Sequence, residues 1–344
     1  MRLLICSLFC SGAVFAATPS PIPAKPVLKL QPELSQIVAD DASLEVLAEG
    51  FRWAEGPVAE PGTGDILFSD VPANQVWRWN EQAGLSLYLS PSGYTQLDQA
   101  PNLAQGANGL IFNHQQQLVL AQHGDRRLAI LQGIVAGQPH YQTLSSHYLQ
   151  QQLNSPNDLV QHSDQSYFFT DPPYGLRDGD QSTQKQLKFN GVFRLDPQGQ
   201  LQLLSDQLTR PNGLALSPDQ QWLYVANSDP AAAQWWRFPL AADGSSTGAA
   251  ELLLDATPQV KTRPGLPDGL KVLPSGHLLA TGPGGVWIIS ASGQHLGTIQ
   301  TGVAAANVAL SLDRRYLYIT ATNYLLRIKL MPTTTALPAI SLQK

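Results

Sequence analysis

The chain has 344 residues, of which 14% are charged, and its 21 basic and 26 acidic side chains leave a formal charge of −5. That mildly acidic balance, with no basic stripe interleaved with aromatics, argues against a nucleic-acid partner. Both cysteines, Cys6 and Cys10, lie in the first ten residues, so the rest of the chain has no thiol for a disulfide or a cysteine metal site.

In chain order, Met1-Arg2 is a positive start, Leu3 to Phe15 is an apolar run, and Val14-Phe15-Ala16 places small residues at a cleavage point. The run is too short for a membrane span, so the pattern predicts a signal peptide over residues 1–16 and a periplasmic or secreted protein. Phe9 stands before Cys10 where lipidation needs a small residue. Losing the leader removes Arg2 and takes the charge to −6. No later stretch reaches the roughly 20 apolar residues of a span, so no membrane span is expected in the mature chain. Residues 17–45, opening on Ala17-Thr-Pro-Ser-Pro-Ile-Pro, predict a lead-in arm; 46–331 is the folded domain, its closing strands expected from about 314, and 332–344 an extended tail.

Within that domain short β-rich runs alternate with Gly, Pro, Asn and Asp, and the composition counts 28 Gly and 26 Pro. One phrase recurs: a polar residue, often followed by Gly, then an apolar patch, a turn and an apolar strand. Its clearest copies are Asn212-Gly-Leu-Ala-Leu-Ser-Pro-Asp and Asp268-Gly-Leu-Lys-Val-Leu-Pro-Ser. Starts at 55, 108, 157, 212, 268 and 307 are spaced by 53, 49, 55, 56 and 39 residues. Each unit holds about four short strands, the size of a propeller blade. The expectation is an all-β, six-bladed β-propeller; a β-sandwich with chance similarity is the alternative.

In a propeller the innermost strands line a central channel, so equivalent blade starts converge there. Here these are Glu55, Asn108, Asn157, Asn212, Asp268 and Asn307, and each offers a side-chain oxygen. Inward-pointing oxygens in a low-dielectric channel are unfavourable unless a positive group satisfies them. Two carboxylates with neutral amide oxygens suit one hard divalent ion, calcium best, with Mg2+, Mn2+ or Zn2+ as alternatives; the lack of Cys and His disfavours zinc. Any single Asn-Gly or Asp-Gly is as readily a turn, so the argument rests on the set and its phase.

At these residues the sequence resembles the SMP-30/gluconolactonase/luciferin-regenerating family, in its bacterial gluconolactonase branch, from Phe51 to about Leu330. The motifs are Phe51-Arg-Trp-Ala-Glu-Gly-Pro, Ser155-Pro-Asn-Asp-Leu-Val, Thr170-Asp-Pro-Pro-Tyr-Gly-Leu, Arg210-Pro-Asn-Gly-Leu-Ala-Leu-Ser and Leu266-Pro-Asp-Gly-Leu. The resemblance implies Glu55, Asn212 and Asp268 as metal ligands, with Asn157 a ligand or a substrate-binding group. Gln122-His123-Gly-Asp-Arg-Arg departs from the family at Gln122, where Glu is common.

The implied activity is metal-dependent hydrolysis of a sugar-type lactone such as D-glucono-1,5-lactone, the ion polarising the carbonyl or acidifying water. Asp268 is the candidate general base, with ligand only as the alternative; Glu55 is ligand only. Asn108, His123, Arg126 and Tyr174 are candidate substrate contacts, His123 to orient substrate or carry a proton, and Tyr174 on a Pro-stiffened loop over the pocket. Asn307 is expected to be a structural channel residue. Ser, His and Asp positions do not group around a recognisable nucleophile elbow. The alternatives are another lactonase or organophosphate hydrolase on the same scaffold, or a non-catalytic periplasmic binding propeller displaying an aromatic patch at Trp235-Trp236.

Overall fold

A computed structural model describes residues 21–96, 105–246 and 248–332. The expected signal peptide and all but Pro332 of the expected tail lie outside them. Among the described residues the strands form six antiparallel sheets of four or five strands, plus a two-stranded hairpin. The innermost strands are Ala54–Ala59, Ala107–Phe112, Leu159–Gln161, Pro211–Leu216, Leu270–Val272 and Asn307–Leu310, one from each repeat. This is the six-bladed propeller that the spacing predicts. No described helix is long and apolar enough to cross a membrane.

The blades are apolar on both faces because each packs against two neighbours. Six apolar clusters fill the six junctions, and alternation along a strand sends successive side chains to opposite ones. In blade one, Ile66 and Phe68 meet Tyr318 and Leu325 of blade six, whereas Leu67 meets Leu110 and Leu120 of blade two. Unbroken runs such as Ile66-Leu-Phe therefore mark strands buried on both sides.

The segment before the first repeat is built into the ring. Val27–Lys29 pairs with the outer strand of blade five, His295–Gln300. The following 3₁₀ turn brings Leu34, Ile37 and Val38 into the junction of blades five and six. Leu44–Glu49 then pairs with Tyr324–Lys329 and supplies the outer strand of blade six. The C-terminal end contributes the inner three strands of that blade, and the N-terminal segment the fourth.

Candidate active site

At the blade starts the inner strands bulge. Pro211 pairs with Asn227 but Leu214 with Val225, and the same extra residue occurs between Glu55 and Val58 and between Ala107 and Leu110. A bulge re-aims the side chain at that position, here into the channel. The glycines that follow Glu55 and Asn212 have a matching reason. A Cβ on Gly56 would stand 2.0 Å from the Asn108 carbonyl oxygen, and one on Gly213 would stand 2.3 Å from that of Asp268. At these starts the neighbouring blade packs on bare backbone, which turns Asn-Gly from a turn signal into a packing requirement.

The result is a cavity of about 570 Å³ at one end of the channel. Glu55, Asn108, His123, Asn157, Tyr174, Asn212 and Asp268 all line it. Arg126 does not. Its guanidinium is buried beside blade three and donates to the carbonyls of Leu153 (2.6 Å), Asn154 (3.0 Å) and Gln184 (3.0 Å). With φ of +56°, Arg126 turns its side chain from the channel to the base of the neighbouring loop, so the substrate role expected for it is withdrawn. The aromatic patch is also absent: Trp235 is wholly buried and Trp236 donates to Gln234. Gln122 is buried, donating to the Ser92 carbonyl (2.8 Å) and accepting from Arg127 Nε (2.6 Å).

The polar groups on the cavity floor are under-partnered. Asn108 Oδ1, Asn212 Oδ1, Asp268 Oδ1 and both ring nitrogens of His123 are buried with no hydrogen-bond partner. Asn212 Nδ2 donates to Ser228 Oγ (2.9 Å), which fixes its oxygen as the free end. Glu55 accepts from Trp53 Nε1 (3.4 Å) and from the Gly56 amide (3.0 Å). Burial pushes the Glu55 carboxyl up to about 7, and the charge of Asp158 adds to the rise. Burial, then the charges of Glu55 and Asp158, hold Asp268 well above the usual carboxylate range. Burial also takes His123 down to about 3, which favours the neutral ring at pH 7 and suits the substrate-orienting role better than the proton-carrying one.

Tyr174 spans the two environments. Over a third of its surface is open, at 37%, yet its hydroxyl lies beside Ser228 and Asn212, where burial and then the Asp268 charge push its pKa up. The loop that carries it is pinned below: Ser155 Oγ accepts from the Gly175 amide (2.9 Å) and donates to the Pro172 carbonyl (2.6 Å).

Asp158 was not singled out by sequence. It lies buried beneath the floor, where Oδ2 accepts from Asn307 Nδ2 (3.2 Å) and Oδ1 from the Leu159 amide (2.9 Å). Asn307 is the structural channel residue expected of it, bridging towards Glu55 as well. The cavity wall was missed too. Val260, Arg263, Pro264, Gly265 and Leu266 come from the connection between blades four and five, outside the repeated phrase.

Among the described residues no group of three His, Cys, Asp or Glu side chains has metal-holding geometry. The donors here are instead two carboxylates joined by amide oxygens, and the test is whether those oxygens are already satisfied. Asn212 Oδ1 and Asp268 Oδ1 are not, and beyond burial the charge of Asp158 raises Glu55 while those of Glu55 and Asp158 raise Asp268. A cation among them relieves both conditions, so the residues fit the ion.

A gluconolactonase of Zymomonas mobilis is 35% identical over 308 residues, 88% of this chain and 85% of that protein. The structure of a Xanthomonas campestris gluconolactonase superposes with a TM-score of 0.76 at 31% identity, covering 92% of this chain and 99% of that one. A calcium-binding regucalcin of Agrobacterium tumefaciens shares the fold, with a TM-score of 0.64 at 16% identity over 85% of this chain and 96% of its own. The family described as SMP-30/gluconolactonase/LRE-like region matches residues 53–323. With its blade starts gathered around one cavity, the chain belongs to the SMP-30/gluconolactonase/LRE-like family.

Proposed function

We propose that the chain hydrolyses a sugar-type lactone in this cavity, with one divalent ion, calcium, held by Glu55, Asn157, Asn212 and Asp268, and that it works in the periplasm or after secretion. The observation that carries the reading is the convergence of unpartnered amide and carboxylate oxygens on one 570 Å³ cavity. Its similarity to gluconolactonases over most of the chain supports the substrate class. When bound, the ion supplies Lewis-acid polarisation of the lactone carbonyl.

The remaining steps belong to the chain. The Asp268 carboxylate, through the oxygen not held by the ion, accepts a proton from the attacking water as the new C–O bond forms at the carbonyl carbon. The ring C–O bond then breaks, and the same proton passes to the departing ring oxygen, giving an open hydroxy acid. Neutral His123 offers one ring N–H and one lone pair, and Asn108 Oδ1 a further acceptor, to hold ring hydroxyls. Tyr174, which lines the cavity and is partly open to solvent, is the aromatic group available to the substrate ring.

The test is proton release from D-glucono-1,5-lactone, corrected for spontaneous hydrolysis, before and after chelation. Activity should vanish with the metal and return with calcium. Turnover that survives complete metal removal removes the ion from the mechanism.

A further inference from the structure

The lactone reading names a class of ring but not its substituents, and the cavity wall bears on those. Resting on that reading, we propose that Arg263 recognises an anionic substituent of the lactone, a carboxylate or a phosphate, so that the enzyme prefers acidic sugar lactones over neutral ones.

Arg78, Arg127, Arg194, Arg210, Arg237 and Arg327 each hold a carboxylate. Arg126 is consumed by backbone carbonyls. Arg263 lines the cavity, and among the described residues its guanidinium makes no ion pair or hydrogen bond. Its position is nevertheless built. The Gly284 amide donates to the Pro264 carbonyl (2.7 Å), clamping the connection to blade five. A Cβ on Gly284 would lie 3.0 Å from Arg263 Cδ, so the arginine stem rests on a glycine face that leaves room for it. Val260, Pro264 and Leu266 on the same stretch of wall carry no acceptor, and His295, whose pKa the Arg263 charge helps to lower, adds no negative charge.

Position orients a ligand: Arg263 stands on the wall and the ion-holding Glu55 and Asp268 on the floor, so a ring whose carbonyl meets the ion presents a further substituent to the wall. A guanidinium in partly apolar surroundings, with its planar fork free, suits carboxylate or phosphate oxygens better than neutral hydroxyls. A volume of about 570 Å³ takes a six-carbon ring with such a group.

The experiment uses matched pairs on the full calcium-loaded enzyme: D-glucaro-1,4-lactone against D-glucono-1,4-lactone, and 6-phospho-D-glucono-1,5-lactone against D-glucono-1,5-lactone. For each pair the anionic-to-neutral ratio of kcat/KM is measured in wild type, Arg263→Gln and Arg263→Glu. The ratio should fall about tenfold or more in Arg263→Gln for at least one pair, and further in Arg263→Glu; the pair that responds identifies carboxylate or phosphate. If Arg263→Gln does not fold, raising ionic strength with the wild-type enzyme should lower the same ratio. Ratios that stay within about twofold through substitution and salt overturn the assignment, even when the neutral lactones are turned over. Failure to turn over all four lactones overturns the lactone reading and this assignment together.

Discussion

Two buried polar regions in this propeller use the same residue types and treat them in opposite ways. At the base of the loop carrying Tyr174, Asp171 is fully buried, and its oxygens accept from the Asn154 (2.7 Å) and Ser155 (2.8 Å) amides. Arg126 and Asn154 donate to carbonyls around it, and only Asn154 Oδ1 is left there without a partner. A short distance away, at the cavity floor, Asn108, Asn212, Asp268 and His123 are left with unpartnered atoms. Burial of a polar group is tolerated where hydrogen bonds satisfy it. The difference teaches that several unpartnered atoms gathered on one cavity, rather than burial or a single unpartnered atom, mark the groups that await a ligand.

Substitution at the floor should break chemistry and spare the fold. Asp268→Asn is expected to lower kcat by about 10²–10³-fold, while the melting temperature of the metal-free protein stays level or rises because a repelled buried carboxylate is gone. A metal-free melting temperature lowered by several degrees would make Asp268 a structural group. Next in size is the response to calcium: at a 100-fold excess over Kd, binding to the native state alone stabilises by about 3 kcal/mol. Thermal melts with and without chelator should show this in wild type and lose most of it in Glu55→Gln.

The loop base should behave in the reverse sense. Asp171→Ala leaves two buried amides without acceptors and is expected to cost about 2–3 kcal/mol in urea denaturation, with activity per folded molecule falling far less than in Asp268→Asn. The smallest effect is one of pH. The folded-state pKa of His123 lies near 3, below the unfolded value of 6.5. The native state therefore rejects a proton that the unfolded chain accepts, and this contribution is complete above pH 6.5 and is lost as the pH falls towards 3. His123→Gln should flatten the acid side of the stability profile by about 1–2 kcal/mol at pH 5 relative to wild type; parallel profiles would show that His123 is not kept neutral in the fold.

The repeat phase made the floor legible: six blade starts, each with an oxygen, could converge only in a closed ring. His123 and Tyr174 were legible because their motifs sit just after the second strands of blades two and three. Arg126 misled because its direction depends on a left-handed backbone that the sequence does not announce. Asp158 was hidden because alternation sends it away from Asn157, yet both ends of this pair turn inward. The wall around Arg263 belongs to a connection with no counterpart in other blades, so periodicity could not find it. The N-terminal strand looked like an arm because pairing between distant segments leaves no local mark.

That pairing also has a consequence for the order of assembly. Arg327 of the last strand meets Glu45 across 282 positions of sequence, and the ring is shut only when the two ends have found each other. Contacts so distant along the chain form slowly. The proposed ion site draws one residue from each of four blades, so on that reading its assembly is expected to wait for the clasp that closes the ring. A chain leaving a pore N-terminus first would carry its opening strand unpaired until the final blade emerged.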